Sequence, residues 1–173
     1  KSALTTAKQA RDYSKKLNNA KSNNPNVYWS VSEVSQEQAQ AGVVIDKNYG
    51  SIMIAPNGDI KGLFKNPETN TKGVGPKLVQ QAVNNGGRTL DNFDIPYLTK
   101  IYTDAGFRIS GRIPFGEQYK PDGWVKELHG TPDVVSMIYD PKNELDIREQ
   151  RFSGDDGYDE MIRYRNSSLN ICN

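Results

Sequence analysis

The sequence has little of what several common chemistries require. Its 173 residues hold one cysteine, Cys172, and one histidine, His129. A lone cysteine forms no internal disulfide and leaves the redox compartment open. One Cys and one His also exclude a zinc site built on those ligands. There is no Gly-x-Ser-x-Gly elbow and no cysteine near His129, so covalent hydrolase chemistry is not expected. Net charge is only +1, which gives no broad attraction to nucleic acid or to a membrane surface. No apolar run approaches the ~20 residues of a membrane-spanning helix. An Asp-Gly-rich run at 154–160 lacks the EF-hand spacing, so no metal is expected. Asn166-Ser167-Ser168 matches a glycosylation sequon, a pattern frequent by chance.

What is present reads as one folded domain with a short appendage. Hydrophobic residues make up 35% and charged residues 25%, and the apolar ones cluster. The chain starts at Lys1, which reads as a processed chain, one excised from a longer protein, or one recorded in part.

The stretch 70–76, Asn-Thr-Lys-Gly-Val-Gly-Pro, is the centre of the reading. Before it, residues 60–65 are apolar and aromatic enough for a strand. After it, Leu78, Val79, Ala82 and Val83 recur at helical spacing, and Gly86-Gly87 stops the helix. Pro76 suits the first helical position, where no N–H is needed. Glycines ahead of a helix let backbone N–H groups converge on an anion, with the helix dipole behind them. The other reading is a glycine-bearing loop that merely begins a helix. A dinucleotide fingerprint would need glycine at Leu78, and a P-loop would need Gly-Lys-Ser/Thr; neither is found.

Asn70-x-x-Gly73-x-Gly75 resembles the acyl-CoA loop Gln/Arg-x-x-Gly-x-Gly/Ala of the GNAT acyltransferase superfamily, with Asn70 as the departure. Residues 101–107, Ile-Tyr-Thr-Asp-Ala-Gly-Phe, look like that family's second motif, a helix ending in Tyr-x-x-x-Gly-Phe. The resemblance covers roughly residues 1–140. It implies a mixed α/β fold with a mostly antiparallel central sheet and helices on both faces. Residues 141–173 are then a charged linker and a short C-terminal helix. A fainter similarity, in 58–64 and 132–135, is to GNAT-like domains of multidomain phage and mobile-element proteins.

The remaining elements follow from local pattern. Residues 2–18 form an amphipathic helix through Ala3, Leu4, Ala7, Ala10, Tyr13 and Leu17, ended by the Asn18-Asn19 and Asn23-Asn24-Pro25 breakers. Residues 27–34 read as a first strand, with Tyr28 and Trp29 in the core. Ser35 opens a short helix that Gly42 ends. Strands follow at 43–45 and 51–54, and the turn at 56–59 makes a hairpin of 52–54 with 60–64. Then come a strand at 88–93, a helix at 96–105, a strand at 108–113 and a strand at 134–139. The long connection 114–133 carries Pro114, Phe115, Tyr119, Pro121 and Trp124, either as a flap over a site or as a loop pinned by its aromatics.

The resemblance implies acetyl transfer from acetyl-CoA to an amine or hydroxyl by direct attack. Backbone N–H groups near Leu63, Phe64 and Lys65 would meet the thioester carbonyl. Those of Val74, Gly75 and Lys77, beside Gly73 and Asn70, would hold the pyrophosphate, with Lys72 adding charge. Tyr102, a phenol with pKa near ~10, is the candidate acid for the leaving thiolate; otherwise it packs beside Phe107. Asp91 and Asp94 are the candidate bases, ahead of Asp59, Glu68 and His129. Partners are an acyl-CoA and an unidentified acceptor, with no membrane and no nucleic acid, and membership of a larger assembly is a further expectation. The location expected is cytoplasmic or, on the phage similarity, virion-associated. Two other functions stay open: a GNAT-like binding or structural module without catalysis, and a phosphate binder using the same loop. Phe64 or Phe93 plugging a pantetheine cleft would favour the module.

Overall fold

The computed structural model describes residues 5–23, 31, 33–120 and 123–170. Contacts divide the chain into two compact units, Lys1–Arg88 and Thr89–Asn173. Ala3, Leu4, Tyr28, Trp29, Pro121 and Cys172 lie outside the described residues, as does most of the strand expected at 27–34; Glu33 and Val34 within it are not strand.

The first unit begins with α1, Ala7–Asn23. Thr6 and Gln9 exchange side chain-to-backbone hydrogen bonds and so cap its start. The helix runs past Asn18-Asn19, the first of its two expected breakers, and ends at Asn23, where the second begins. Asparagine costs a few tenths of a kcal/mol in a helix, and the burial of Leu17 and Ala20 on either side of the pair outweighs that. Short α2, Gln36–Ala41, has the full capping box between Ser35 and Gln38. Strands β1 (Val43–Lys47), β2 (Gly50–Ile54) and β3 (Ile60–Lys65) form an antiparallel sheet in that order. The β2–β3 hairpin turns at the expected place. Helix α3, Val74–Asn84, packs on this sheet through Leu78, Val79, Ala82 and Val83. Tyr13, Leu17, Met53 and Phe64 fill the centre of a core that α1 shares with the sheet.

The second unit holds β4 (Thr89–Phe93), α4 (Pro96–Asp104), β5 (Phe107–Ile113), a four-residue α5 (Lys126–His129), β6 (Val134–Tyr139), β7 (Gln150–Arg151) and α6 (Gly157–Ser167). Its strands order β4-β6-β5-β7, antiparallel except for β5 with β7. The strands thus hydrogen-bond as two sheets, almost wholly antiparallel.

Residues beyond 140, expected as linker and tail, are built into this unit. Arg108 donates to the Asp140 carboxylate and to the carbonyls of Leu145 and Ile147, which ties the charged segment down. Met161 of α6 packs with Ile113 and Val134. Arg165 is 2% exposed and donates to the Leu90 carbonyl on β4 and to Asn166. The sequon Asn166 is itself buried, so no glycan fits there on the folded chain.

Burial raises the Asp140 carboxyl pKa, but the Glu144 N–H, Arg108 and the Leu145 N–H outweigh it and hold the group below its ordinary 3.8. A depressed carboxyl stabilises the fold above its unfolded pKa and loses that contribution as pH falls through the lower folded value. The unfolding free energies of the parent and of Asp140→Asn, measured by denaturant titration, should therefore differ by a constant amount above about pH 5 and converge below about pH 4.

Candidate functional site

One set of candidate residues lies in the first unit, where β3 leads into α3. Ser51 faces Phe64 and Met53 faces Lys61, so β3 carries one extra residue between those pairs. The bulge contains Gly62, whose φ of +60° is the left-handed region that an L side chain enters only at a cost. A Cβ there would lie 1.9 Å from the Tyr13 hydroxyl, which donates to the Gly62 carbonyl at 2.8 Å. A glycine inside a strand is the sequence signal for this bulge, and sequence reasoning passed over it.

Among the three backbone donors expected on this strand, the register separates two. Asn66 N–H donates to the Tyr49 carbonyl, so antiparallel alternation pairs Phe64 with Ser51 next. The Phe64 N–H is therefore spent within the sheet, while that of Lys65 points to the side away from β2. Leu63 sits in the bulge.

The loop then tightens through Thr69, whose N–H donates to Asn66 and whose hydroxyl accepts from the Thr71 N–H. Asn70 and Lys72 are exposed. Gly73 takes φ 65°, ψ 33° and caps α3 without a side chain, and the helix's first turn has no acidic residue. Left-handed geometry at this point swings the chain directly into the helix. Val74 and Gly75 are its first two residues, so their N–H groups have no intrahelical acceptor. Pro76 stands third rather than first, still within the turn where its missing N–H costs nothing. The Lys77 N–H, expected among the anion donors, instead makes the first intrahelical bond, to the Gly73 carbonyl at 3.2 Å. The Lys77 ammonium lies 5.8 Å from the centre of the Tyr49 ring.

A separate set lies on α4 and β5 of the second unit. Pro96 opens α4, and Ala105 with left-handed Gly106 closes it, returning the chain into β5. A Cβ on Gly106 would meet Pro141 at 2.9 Å. Tyr102 is 7% exposed and stands edge-on to Phe107 at 6.1 Å. The packing role foreseen for it is thus real, and an acid role would be additional.

Asp94 is engaged. Its carboxylate accepts from Thr99 at 2.8 Å and pairs with Arg112 at 3.0 Å, and Arg112 also holds Asp133 and Glu149 at 2.9 and 3.0 Å. Burial would lower the Arg112 pKa, but its hydrogen bonds to Asp133, Glu149 and Asp94 raise it above its already high ordinary value. Asp91 is half-buried on β4, opposite Ser136 of β6. Arg112 itself went unnoticed in the sequence, because its three partners lie 18, 21 and 37 positions away.

The long connection is pinned by its aromatics. Trp124 stacks with Phe93 at 5.1 Å, Phe115 at 5.6 Å and His129 at 4.9 Å, and its indole donates to Gly130. His129 Nδ1 accepts from the Val125 N–H, so the lone histidine has a local structural job. Phe64 packs on Tyr13 at 5.9 Å in the core of the first unit, and partly buried Phe93 packs on Trp124 in the second.

No family model and no curated protein matches the sequence. Solved structures do. A Bacillus subtilis acetyltransferase determined in complex with CoA superposes with a TM-score of 0.52 at 18% identity, over 75% of this chain and 91% of that one. The chain has a GNAT-like fold. Tetrahymena GCN5 aligns more loosely, with a TM-score of 0.42 and 15% identity over 80% of this chain and 91% of its own. In the GNAT-like fold the two motifs read from sequence occupy their expected elements: the glycine loop starts α3, and Tyr102 to Phe107 joins α4 to β5. The similarity to phage and mobile-element proteins gains no support from the solved structures.

Proposed function

We propose that the chain transfers an acetyl group from acetyl-CoA to an amine or hydroxyl acceptor. The observation that carries this reading is the left-handed Gly73, which delivers the loop into α3 with the Val74 and Gly75 N–H groups uncapped and no carboxylate competing for them. Those donors, the helix dipole and the Lys72 and Lys77 ammonium groups suit a pyrophosphate. The Lys65 N–H, on the side of β3 away from β2, suits the thioester oxygen. The similar acetyltransferase determined in complex with CoA supports acetyl-CoA as the co-substrate.

In the proposed reaction the acceptor nitrogen or oxygen attacks the thioester carbonyl carbon, and the carbon–sulfur bond breaks. Sulfur leaves as a thiolate and takes the Tyr102 phenol proton. The acceptor's own proton passes to Asp91 or to water. Tyr102→Phe keeps the ring that packs on Phe107 and removes the hydroxyl that carries the proton. Thiol release from acetyl-CoA over a panel of primary amines should then fall about 100-fold, with acetyl-CoA affinity unchanged. Unchanged turnover would return Tyr102 to a packing role.

The alternative, a GNAT-like module that binds without catalysing, is favoured by one observation: Asp94, a candidate base, is locked by Arg112. Parent protein that binds acetyl-CoA yet releases no thiol with any amine would support it.

A further inference from the structure

Asn92 carries the one buried side-chain polar atom that has no hydrogen-bond partner among the described residues, its Oδ1. Buried acceptors are almost always paired, so an orphan calls for a reason. The rest of the residue is well ordered by its surroundings. Asp94 N–H donates to the Asp133 carbonyl, so antiparallel alternation makes Asn92 and Val135 the next hydrogen-bonded pair. Phe93 between them therefore turns its carbonyl to the side of β4 away from β6. There it accepts from the Ile95 N–H at 2.8 Å and from the Asn92 Nδ2 at 3.0 Å. That second bond fixes the carboxamide at this margin of β4 and decides which end is nitrogen, since only Nδ2 can donate to a carbonyl. No protein donor reaches the oxygen.

We propose that Asn92 Oδ1 is a ligand-binding acceptor: it receives a hydrogen bond from an N–H or O–H group of a bound substrate of the acetyl-transfer reaction. This rests on the function proposed above. The donor belongs either to an amide of the co-substrate's pantetheine arm or to the acceptor amine, and both present the same chemistry to the oxygen. The unliganded protein bears an unpaired buried oxygen, and the ligand satisfies it. Selectivity follows, because a substrate with a methyl or an ether in place of that donor would leave the oxygen buried and unpaired.

The test uses Asn92→Leu, close in shape and without polar atoms. Phe93 still has its Ile95 partner, so the substitution strands no backbone group. Melting temperature, acetyl-CoA affinity by calorimetry and KM for the best amine of the panel are measured on parent and variant. The expected result is a melting temperature equal to or above the parent's, together with at least a tenfold loss in one binding constant. A loss in acetyl-CoA affinity assigns the donor to the pantetheine arm. A loss confined to the amine's KM assigns it to the acceptor. Unchanged affinity and KM would overturn the inference, and so would a melting temperature lowered by several degrees, since the oxygen would then be satisfied within the protein. A parent that binds no acetyl-CoA would instead overturn the proposed function.

Discussion

Gly75→Glu is expected to abolish acetyl-CoA binding while leaving the fold intact. The new carboxylate would stand at the second residue of α3, beside the N–H groups assigned to the pyrophosphate. Two like charges ~4 Å apart near a protein surface repel by about 4 kcal/mol, which is close to a thousandfold in affinity. The same carboxylate suits the helix for its own sake, since an anion in the first turn gains about 0.3–1 kcal/mol from the dipole. Calorimetry should therefore show binding by the parent and none by the variant, while the variant's melting temperature holds or rises. Retained affinity would mean that the anion sits elsewhere and that the loop only starts a helix.

The second large effect is on stability. Gly62→Ala should cost about 3 kcal/mol, read as a lowered midpoint in denaturant titration. Left-handed backbone costs an alanine about 1–2 kcal/mol. The added methyl also displaces the Tyr13 hydroxyl, leaving the Gly62 carbonyl and the phenol of a wholly buried tyrosine without each other, for about another 1–2 kcal/mol. Tyr13→Phe alone should cost about 1 kcal/mol. Because the two share one contact, the double variant should be less destabilised than the sum of the singles, the phenylalanine having vacated the space that the methyl needs. Additive losses would show that the strain is in the backbone alone.

Legibility in the sequence followed the range of the interactions. The capping serine at Ser35, the hairpin turn at 56–59, the stop at Gly86 and the two motif segments are set by neighbours a few residues apart, and each was readable. Where tertiary burial overrode a local signal, as at Asn18-Asn19, the sequence misled. The C-terminal segment looked like a tail because charge dominates it. What makes it core is Arg108 reaching residues 32 to 39 positions onward, with Met161 and Arg165 as isolated anchors. The same range hid the fate of Asp94: a carboxylate before a helix looks available until strand pairing brings Arg112 beside it. Asn92 was invisible for another reason, since an unpaired oxygen can be recognised only once every neighbour is placed.

The place of α6 has a consequence for synthesis on the ribosome. Every contact within the first unit joins residues up to Arg88, so that unit can fold while the rest is being translated. The second cannot. Its sheet is covered by α6 and its β4 carbonyl at Leu90 is closed by Arg165, both made after every strand they touch. Until then the nascent β5–β6 pair carries an uncovered apolar face, Ile113, Val134 and the floor beneath Met161. A stalled or prematurely terminated message would release a half-folded product, with a finished first unit and a sticky second one, for chaperones and proteases to sort.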